Sequence, residues 1–133
     1  MLFRLFVLLE LKCMPRMHQT SAWELRVLDG WEVEGTNQLV TLFKPDGVGM
    51  LRVLTTEQKP GTPESTGDLF RGRLPGSVRT STDKSTFRRI WSLSCRGQQL
   101  FVTYQCASNN AELELAEVDE IVQSISETGH EKP

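Results

Sequence analysis

The stretch STFRRIWSLSCRGQQLFVTYQCASNNAELELAEVDEIVQ, residues 85–123, decides the fold of this chain. Two segments of alternating apolar residues flank Arg96-Gly97, and an acidic segment with helical periodicity follows them. Side chains alternate along a strand and a two-residue loop preserves that parity, so one set of side chains falls on one hairpin face. That set consists of Phe87, Trp91, Leu93, Cys95, Leu100, Val102, Tyr104 and Cys106. The pattern predicts strands at 86–95 and 98–106, with Trp91 buried between the sheet and the following helix.

The acidic segment predicts a helix over residues 110–126. Asn109 and Glu112 are spaced like a capping box, and acids near the start of a helix favour the positive end of its dipole. The apolar residues span an arc of about 120° on a helical projection, which is typical of a core-facing stripe. They are Ala111, Leu115, Val118, Ile121, Val122 and Ile125. We expect the acids to lie on the solvated side.

Upstream segments predict further strands. Residues 23–27 and 31–34 alternate apolar with polar side chains across a three-residue loop, which places both apolar sets on one face. Residues 39–44 and 50–55 flank the Pro45-Asp46-Gly47-Val48 turn, with Val40 and Leu42 facing Leu51 and Val53. The opposite side of that hairpin is also apolar, at Leu39, Phe43, Met50 and Leu54. We therefore expect a sheet covered on both faces.

Residues 57–85 interrupt the alternation. Fifteen of these 29 residues are Gly, Pro, Ser or Thr, and a structureless loop of this length is usually functional or flexible. A short helix from about residue 63 to residue 72 is weakened by Gly67. We expect Leu69, Phe70 and Leu74 to hold the segment at one point.

Charge is unevenly placed along a chain whose net charge is only −2. Residues 57–89 contain seven basic residues against four acidic ones, whereas residues 112–127 contain six acidic residues and no basic one. Either these are a solvated loop and a solvated helix face, or the basic stretch is a patch for an acidic protein partner. The candidate binding residues of that patch are Arg71, Arg73 and Arg79. The overall balance argues against nucleic-acid binding.

Arg89 is the unusual charge, because it falls on the apolar face of the third hairpin. It lies between Phe87 and Trp91 and opposite Tyr104 in the predicted register. Either its stem packs on those rings while the guanidinium reaches solvent or a helix acid, or it is the polar anchor of a ligand pocket. Arg89 and Tyr104 are therefore candidate binding residues.

The sequence predicts no catalytic residue, metal site or cofactor. Both histidines, His18 and His130, lie in predicted tails, away from any cleft. No Cys-x-x-Cys or paired histidine provides metal-ligand spacing. Gly47-Val48-Gly49 lacks the following helix that a phosphate loop requires.

Three cysteines fit a reducing compartment better than a disulfide framework. In the predicted register Cys95 lies beside Gln98 and Cys106 beside Phe87, at opposite ends of the hairpin. We therefore expect buried thiols and a cytoplasmic protein. The alternative is export by a degenerate signal, since MLFRLFVLLELK begins like one, although its apolar run is short. No span of about 20 apolar residues predicts a membrane crossing.

Four strings carry a resemblance to a known family: GWEVE at 30–34, LFKPDGVGMLRV at 42–53, FRRIW at 87–91 and LFVTYQC at 100–106. Together with the Glu-rich helix they resemble small bacterial proteins of the PsbP-like α/β/α sandwich, over about residues 23–126. The resemblance implies that fold and a tendency toward protein–protein interaction. It carries over no catalytic residue, and the Gly/Pro/Thr-rich middle departs from it.

These observations predict one α+β domain over residues 22–127, after a poorly ordered leader at 1–21 and before a polar tail at 128–133. Its mostly antiparallel sheet is built of hairpins and covered by the C-terminal helix and by a shorter N-terminal or middle helix, an α/β/α sandwich. We expect a non-enzymatic binding or protein-interaction module. The alternative is a small-molecule-binding domain with a pocket under residues 57–85 and weak hydrolase activity.

Overall fold

The structure, a computed structural model, describes residues 16–57 and 68–128, apart from the side chain of Arg71. Ten strands and one α-helix form in these ranges, with a 3₁₀ turn at Ser108–Asn110 ahead of the helix. The elements are β1 (Arg16–Gln19), β2 (Trp23–Val27), β3 (Glu32–Gly35), β4 (Leu39–Phe43), β5 (Gly49–Glu57), β6 (Asp68–Arg71), β7 (Pro75–Thr82), β8 (Thr86–Cys95), β9 (Gln98–Ala107), α1 (Leu115–Gln123) and β10 (Ser126–Glu127).

The strands form two antiparallel sheets. The large sheet has seven strands in the order β3-β4-β5-β9-β8-β7-β6, and the small one has three in the order β1-β2-β10. Successive side chains of the large sheet point to opposite sides. We call the side that carries Trp91 and Leu100 the inner face, and the side that carries Leu54 and Phe101 the outer face.

The core lies on the inner face, where α1 and residues of the small sheet pack. Trp23 and Leu25 from β2 are fully buried, as are Val118 and Ile121 from α1. Trp91 is 1% exposed, which confirms its predicted burial. A buried aromatic cluster of this kind removes large apolar areas from water and accounts for much of the driving force for folding.

The predicted hairpin registers are confirmed. Cys95 pairs with Gln98 and Phe87 with Cys106 on β8 and β9. In the earlier hairpin Val40 pairs with Val53, and Leu42 with Leu51. Local alternation was sufficient here because a tight turn fixes the parity of both strands.

The predicted α/β/α sandwich is wrong. Strands account for 59% and helices for 12% of the described residues, and α1 is the one α-helix among them. The error came from the apolar side chains of β4 and β5 on the outer face, which we expected a second helix to cover. Four of the outer-face residues are instead 38–43% exposed: Leu39, Met50, Leu54 and Phe101.

The predicted long loop at 57–85 is wrong over residues 68–82, which form β6 and β7. β7 pairs with β8 through seven residues, from Gly76 opposite Leu93 to Thr82 opposite Phe87. Thr and Val suit a half-buried strand, and main-chain pairing does not require a continuous apolar run. Phe70 and Leu74 are buried as expected, but Leu69 is 72% exposed. The predicted helix at 63–72 is a strand from Asp68, and residues 58–67 lie outside the described ranges.

Two other elements differ from the prediction. The segments at 23–27 and 31–34 do not face each other, because β2 belongs to the small sheet and β3 to the large one. The helix begins at Leu115 rather than near residue 110, since Glu114 turns inward to other partners. Its buried residues lie on the predicted stripe.

β1 forms within the predicted leader and pairs with β2, with His18 opposite Leu25. Residues 1–15, and His130 in the predicted polar tail, lie outside the described ranges. No helix in those ranges is long and apolar enough to cross a membrane.

Candidate ligand pocket

A concave pocket opens on the inner face where α1 leaves part of β6, β7 and β8 uncovered. Its volume is about 590 Å³, which is within the range of small-molecule sites. We call it the arginine pocket. Its lining consists of Asp68, Phe70, Val78, Arg79, Thr80, Arg89, Trp91, Asp119 and Gln123.

Arg89 is held in a fixed orientation at this pocket. Its Nη1 donates to both carboxylate oxygens of Asp119 on α1 at 3.1 Å, and its Nε donates to Thr80 Oγ1 at 3.0 Å. The guanidinium carbon lies 5.9 Å from the centre of the Phe87 ring. Charge-assisted bonds of this type are short and directional. The arginine therefore reaches a helix acid, as one of our two interpretations expected, and lines a pocket, as the other did.

Part of the Arg89 guanidinium is left for a ligand. The bonds to Asp119 and Thr80 engage Nε and Nη1. Within the described ranges Nη2 has no hydrogen-bond partner. The Arg89 side chain is 22% exposed, so solvent or a small molecule reaches it. A guanidinium that is positioned by two partners and still carries free N–H groups is preorganised to bind an acceptor.

The rest of the lining combines apolar and polar groups. Phe70, Val78 and Trp91 form an apolar part, because their side chains share the inner face with Arg89. Asp68 and Asp119 supply two carboxylates on the inner face beside Arg89, whereas Arg79 pairs with Ile90 and therefore directs its side chain to the outer face. An apolar wall with a few converging polar groups is the usual composition of a small-molecule site.

The structure brings together two of the five predicted binding residues. Arg79 and Arg89 line the same pocket. Arg73 is exposed in the turn between β6 and β7 and is not part of the lining, and the side chain of Arg71 lies outside the described residues. Tyr104 is fully buried, so a ligand would reach it only if its internal partners moved.

Tyr104 instead belongs to a buried cluster with Glu114. Its hydroxyl donates to Glu114 Oε1 at 2.8 Å, and the amide of Val48 donates to Glu114 Oε2 at 3.0 Å. Burial and the adjacent carboxylate raise the pKa of Tyr104 above its ordinary value. The carboxylate thus joins the β4–β5 turn, the strand β9 and the start of α1.

The glycines of the β4–β5 turn make room for this cluster. A Cβ added at Gly47 would lie 2.2 Å from Glu114 Oε2, and one added at Gly49 would lie 2.5 Å from the Tyr104 hydroxyl oxygen. Real Cβ contacts are not this short, so both positions exclude a side chain unless the cluster moves. The Gly-Val-Gly turn is therefore a packing feature.

Sequence reasoning missed Glu114, which it placed among solvated helix acids. Glu114 is 4% exposed. The signal was present, because Glu114 precedes Val118 by four residues and Ile121 by seven, and so continues the apolar stripe. A charged residue within the apolar stripe of a helix predicts a buried hydrogen-bond partner for that charge.

The remaining helix acids have basic partners within the domain. Lys44 Nζ lies 3.0 Å from Glu117 Oε1, and Arg26 Nη1 lies 3.7 Å from Glu120 Oε2. Exposed pairs of this kind contribute little to stability. They neutralise much of the acidic helix, as Arg89 does at Asp119.

The pocket lining contains neither histidine nor cysteine among the residues that the structure describes. Asp68 and Asp119 are its acidic groups. No cluster of three or more His, Cys, Asp or Glu side chains with metal-binding geometry occurs within 16–57 and 68–128.

Comparison with known proteins shows a fold relative and no family. No family model and no curated protein matches the chain. A solved crystal structure of a protein from Bacteroides thetaiotaomicron VPI-5482 superposes with a TM-score of 0.56 at 11% sequence identity. The match covers 85% of this chain and 50% of that one, so the chain spans half the length of its structural neighbour. This likeness concerns the fold alone, and the resemblance to PsbP-like proteins stays a prediction.

Proposed function

We propose that this chain is a non-enzymatic binding module that takes a small zwitterion of the amino-acid type in the arginine pocket. The observation that carries the proposal is the position of Arg89, which Asp119 and Thr80 hold at the pocket while Nη2 has no described partner. A carboxylate is the natural acceptor for such a group, since guanidinium and carboxylate match in geometry.

The other lining groups define the rest of the ligand. Asp68 offers a carboxylate to a ligand ammonium group, and Phe70 and Val78 offer an apolar surface to its side chain. Arg89 offers N–H donors and Asp68 offers a carboxylate, so a ligand that carries one group of each sign can pair with both. A dianion can pair with Arg89 but not with Asp68, and a simple amine can pair with Asp68 but not with Arg89.

The second candidate function is binding of an acidic protein surface by a basic patch. In that candidate Arg71, Arg73 and Arg79 face an acidic partner across open solvent. The bonds of Arg89 to Asp119, on the acidic helix of the same domain, favour the pocket instead. Arg73 is the arginine that fits an open patch best, because it is exposed and outside the lining. Substitutions of Arg89, which is held at the pocket, and of Arg73, which is exposed outside it, therefore distinguish the two candidates.

Titration calorimetry with free leucine and phenylalanine tests the proposal. We expect saturable one-to-one binding, and weaker or no binding of acetate and of butylamine, which each carry one of the two charges. Arg89→Lys should weaken binding about tenfold or more, because lysine keeps the charge but loses the fork.

Arg73→Lys is the matched control, since it makes the same change at an exposed arginine outside the lining. It should leave the affinity unchanged. The proposal is wrong if neither amino acid binds, or if Arg73→Lys weakens binding as much as Arg89→Lys does.

A further inference from the structure

The outer face is an apolar surface that the described residues leave uncovered. Leu39, Leu54 and Phe101 lie in one cross-strand row, because Leu39 pairs with Leu54 and Leu54 with Phe101. Their exposures are 43%, 40% and 38%. A contiguous row of exposed large side chains on neighbouring strands typically marks an interaction surface.

The acidic residues of this face lie at one edge of the sheet, whereas its basic residues lie at the centre, with Arg52 on β5, and towards the other edge. Glu32 and Glu34 are exposed on β3, at one edge of the sheet. Arg88 is exposed on β8, towards the other edge. Glu32 pairs with Phe43, Met50 pairs with Gln105, and Gln105 pairs with Arg88.

Glu32 and Arg88 therefore share one cross-strand row. Leu42 pairs with Leu51, so the neighbouring residues Phe43 and Met50 face each other and complete the row. An acidic end and a basic end on the same row are complementary to a reversed copy of themselves.

We propose that the outer face binds a second copy of this chain, forming a two-fold sandwich of two sheets. Rotation by 180° about an axis parallel to the strands, between β5 and β9, lays β3 of each copy over β7 of the other. Aligned sheets pack in this way, with strands within about 30° of each other. Glu32 of one copy then lies one strand away from Arg88 of the other, within reach of its long side chain.

The same rotation matches the apolar pair Leu54 and Phe101 with itself, and it places Arg52 of each copy over Thr103 of the other. Leu54 of one copy lies over Phe101 of the other, and Leu39 lies over Ser92. Rotation about an axis across the strands would instead place β3 over β3 and bring like charges together. The sign pattern thus selects one of the two face-to-face arrangements.

The area is sufficient for a dimer at the weak end of the stable range. Six strands from β3 to β7 span about 24 Å at a spacing of about 4.8 Å, and eight residues of strand span about 26 Å. The face therefore covers roughly 600 Å² per copy, or about 1,200 Å² for the pair. Specific stable interfaces begin near this total, so dimerisation should depend visibly on concentration.

Sedimentation velocity of the full chain over a concentration series tests the proposal. We expect a monomer–dimer equilibrium, weakened about 100-fold by Phe101→Glu, which places two charges in the apolar centre of the pair. Leu54→Glu should act in the same direction. Circular dichroism checks that both variants remain folded, as expected for positions already 40% and 38% exposed in the monomer.

Charge reversal distinguishes a second copy from any other occupant. E32R alone and R88E alone should each weaken dimerisation about tenfold, because each creates two like-charge contacts per dimer. A mixture of E32R copies with R88E copies should recover dimers, since both contacts are then between opposite charges. E112R, the same change on an exposed residue before α1, should have no effect.

Three results would overturn the inference. One is a chain that stays monomeric up to about 1 mM, and another is a mixture of E32R and R88E that does not recover dimers. The third is a soluble paramagnetic probe that leaves the side-chain signals of Leu54 and Phe101 unbroadened in the dilute monomer, because another segment of the same chain would then cover the face.

Discussion

Tyr104→Phe is the sharpest test of the packing that positions α1. Tyr104 is fully buried, and its hydroxyl donates to Glu114 Oε1 at 2.8 Å. Phenylalanine fills the same ring space, so the substitution removes one hydrogen bond and creates almost no cavity. A hydrogen bond to a charged acceptor contributes about 1.5–3 kcal/mol. The Val48 amide remains as a partner of the carboxylate, so we expect a loss near the middle, about 2 kcal/mol.

Urea denaturation measures this loss directly. The midpoint should fall at an unchanged slope, since the substitution does not alter the surface exposed on unfolding. In a domain of this size a loss of about 2 kcal/mol lowers the melting temperature by roughly 8 °C. Glu112→Gln, an exposed acid two residues before Glu114, is the control and should stay within about 0.5 kcal/mol of the parent.

A double-mutant cycle separates the pair from other effects. Glu114→Gln alone should also destabilise the folded chain, because the NH₂ group of the glutamine cannot accept a hydrogen bond from the Val48 N–H or from the tyrosine hydroxyl. The double variant Tyr104→Phe/Glu114→Gln should lose about 1 kcal/mol less than the sum of the single losses. A loss below about 0.5 kcal/mol for Tyr104→Phe, or strict additivity, would refute the reasoning.

Two further predictions concern the core. Trp91→Ala should lower the free energy of unfolding by about 3–5 kcal/mol, because it leaves a large cavity. A loss below about 1 kcal/mol in the same urea assay would contradict the burial of the Trp91 side chain. Tyr104 is the one tyrosine of the chain, and its raised pKa means that the folded state keeps the phenol proton at a pH where the unfolded chain loses it. The contribution of the Tyr104 hydroxyl to stability is therefore complete below about pH 10 and is lost as the pH rises further. We expect tyrosinate absorbance to appear only together with unfolding, and we expect Tyr104→Phe to weaken the loss of stability at alkaline pH. Titration of the phenol while the chain stays folded would contradict this.

The parts of the fold that follow from local patterns could be predicted from the sequence. The β8–β9 hairpin and its register follow from alternation around Arg96-Gly97, and the buried stripe of α1 follows from its period. These features depend on residues close together in the chain, where parity and periodicity determine which face each side chain occupies.

Features that depend on distant partners could not be predicted in the same way. β7 is a Ser- and Thr-containing strand whose order comes from backbone pairing with β8, so composition alone indicated a loop. The outer face carries exposed apolar side chains, and no helix among the described residues covers it. Its apolar content alone therefore led to the wrong prediction of a second helical layer.

The candidate site was predictable in part. Arg89 is a charged residue on an otherwise apolar strand face, and this local pattern predicted a candidate binding residue that lines the pocket. Its partner Asp119 lies 30 residues away, and no local pattern connects the two. Arg79 was identified for its charge, whereas its place in the pocket depends on β7, which the sequence did not reveal.

The central claim is that Arg89 and its pocket bind an amino-acid-type zwitterion. The most direct measurement is a titration of the ¹⁵N-labelled chain with free leucine, followed through the Arg89 Nε–H and the three tryptophan indole signals. The account predicts that the Arg89 and Trp91 signals shift and saturate together, while the indole of the fully buried Trp31, outside the lining, stays in place. Unchanged Arg89 and Trp91 signals, or an equal shift of all three indoles, would contradict it.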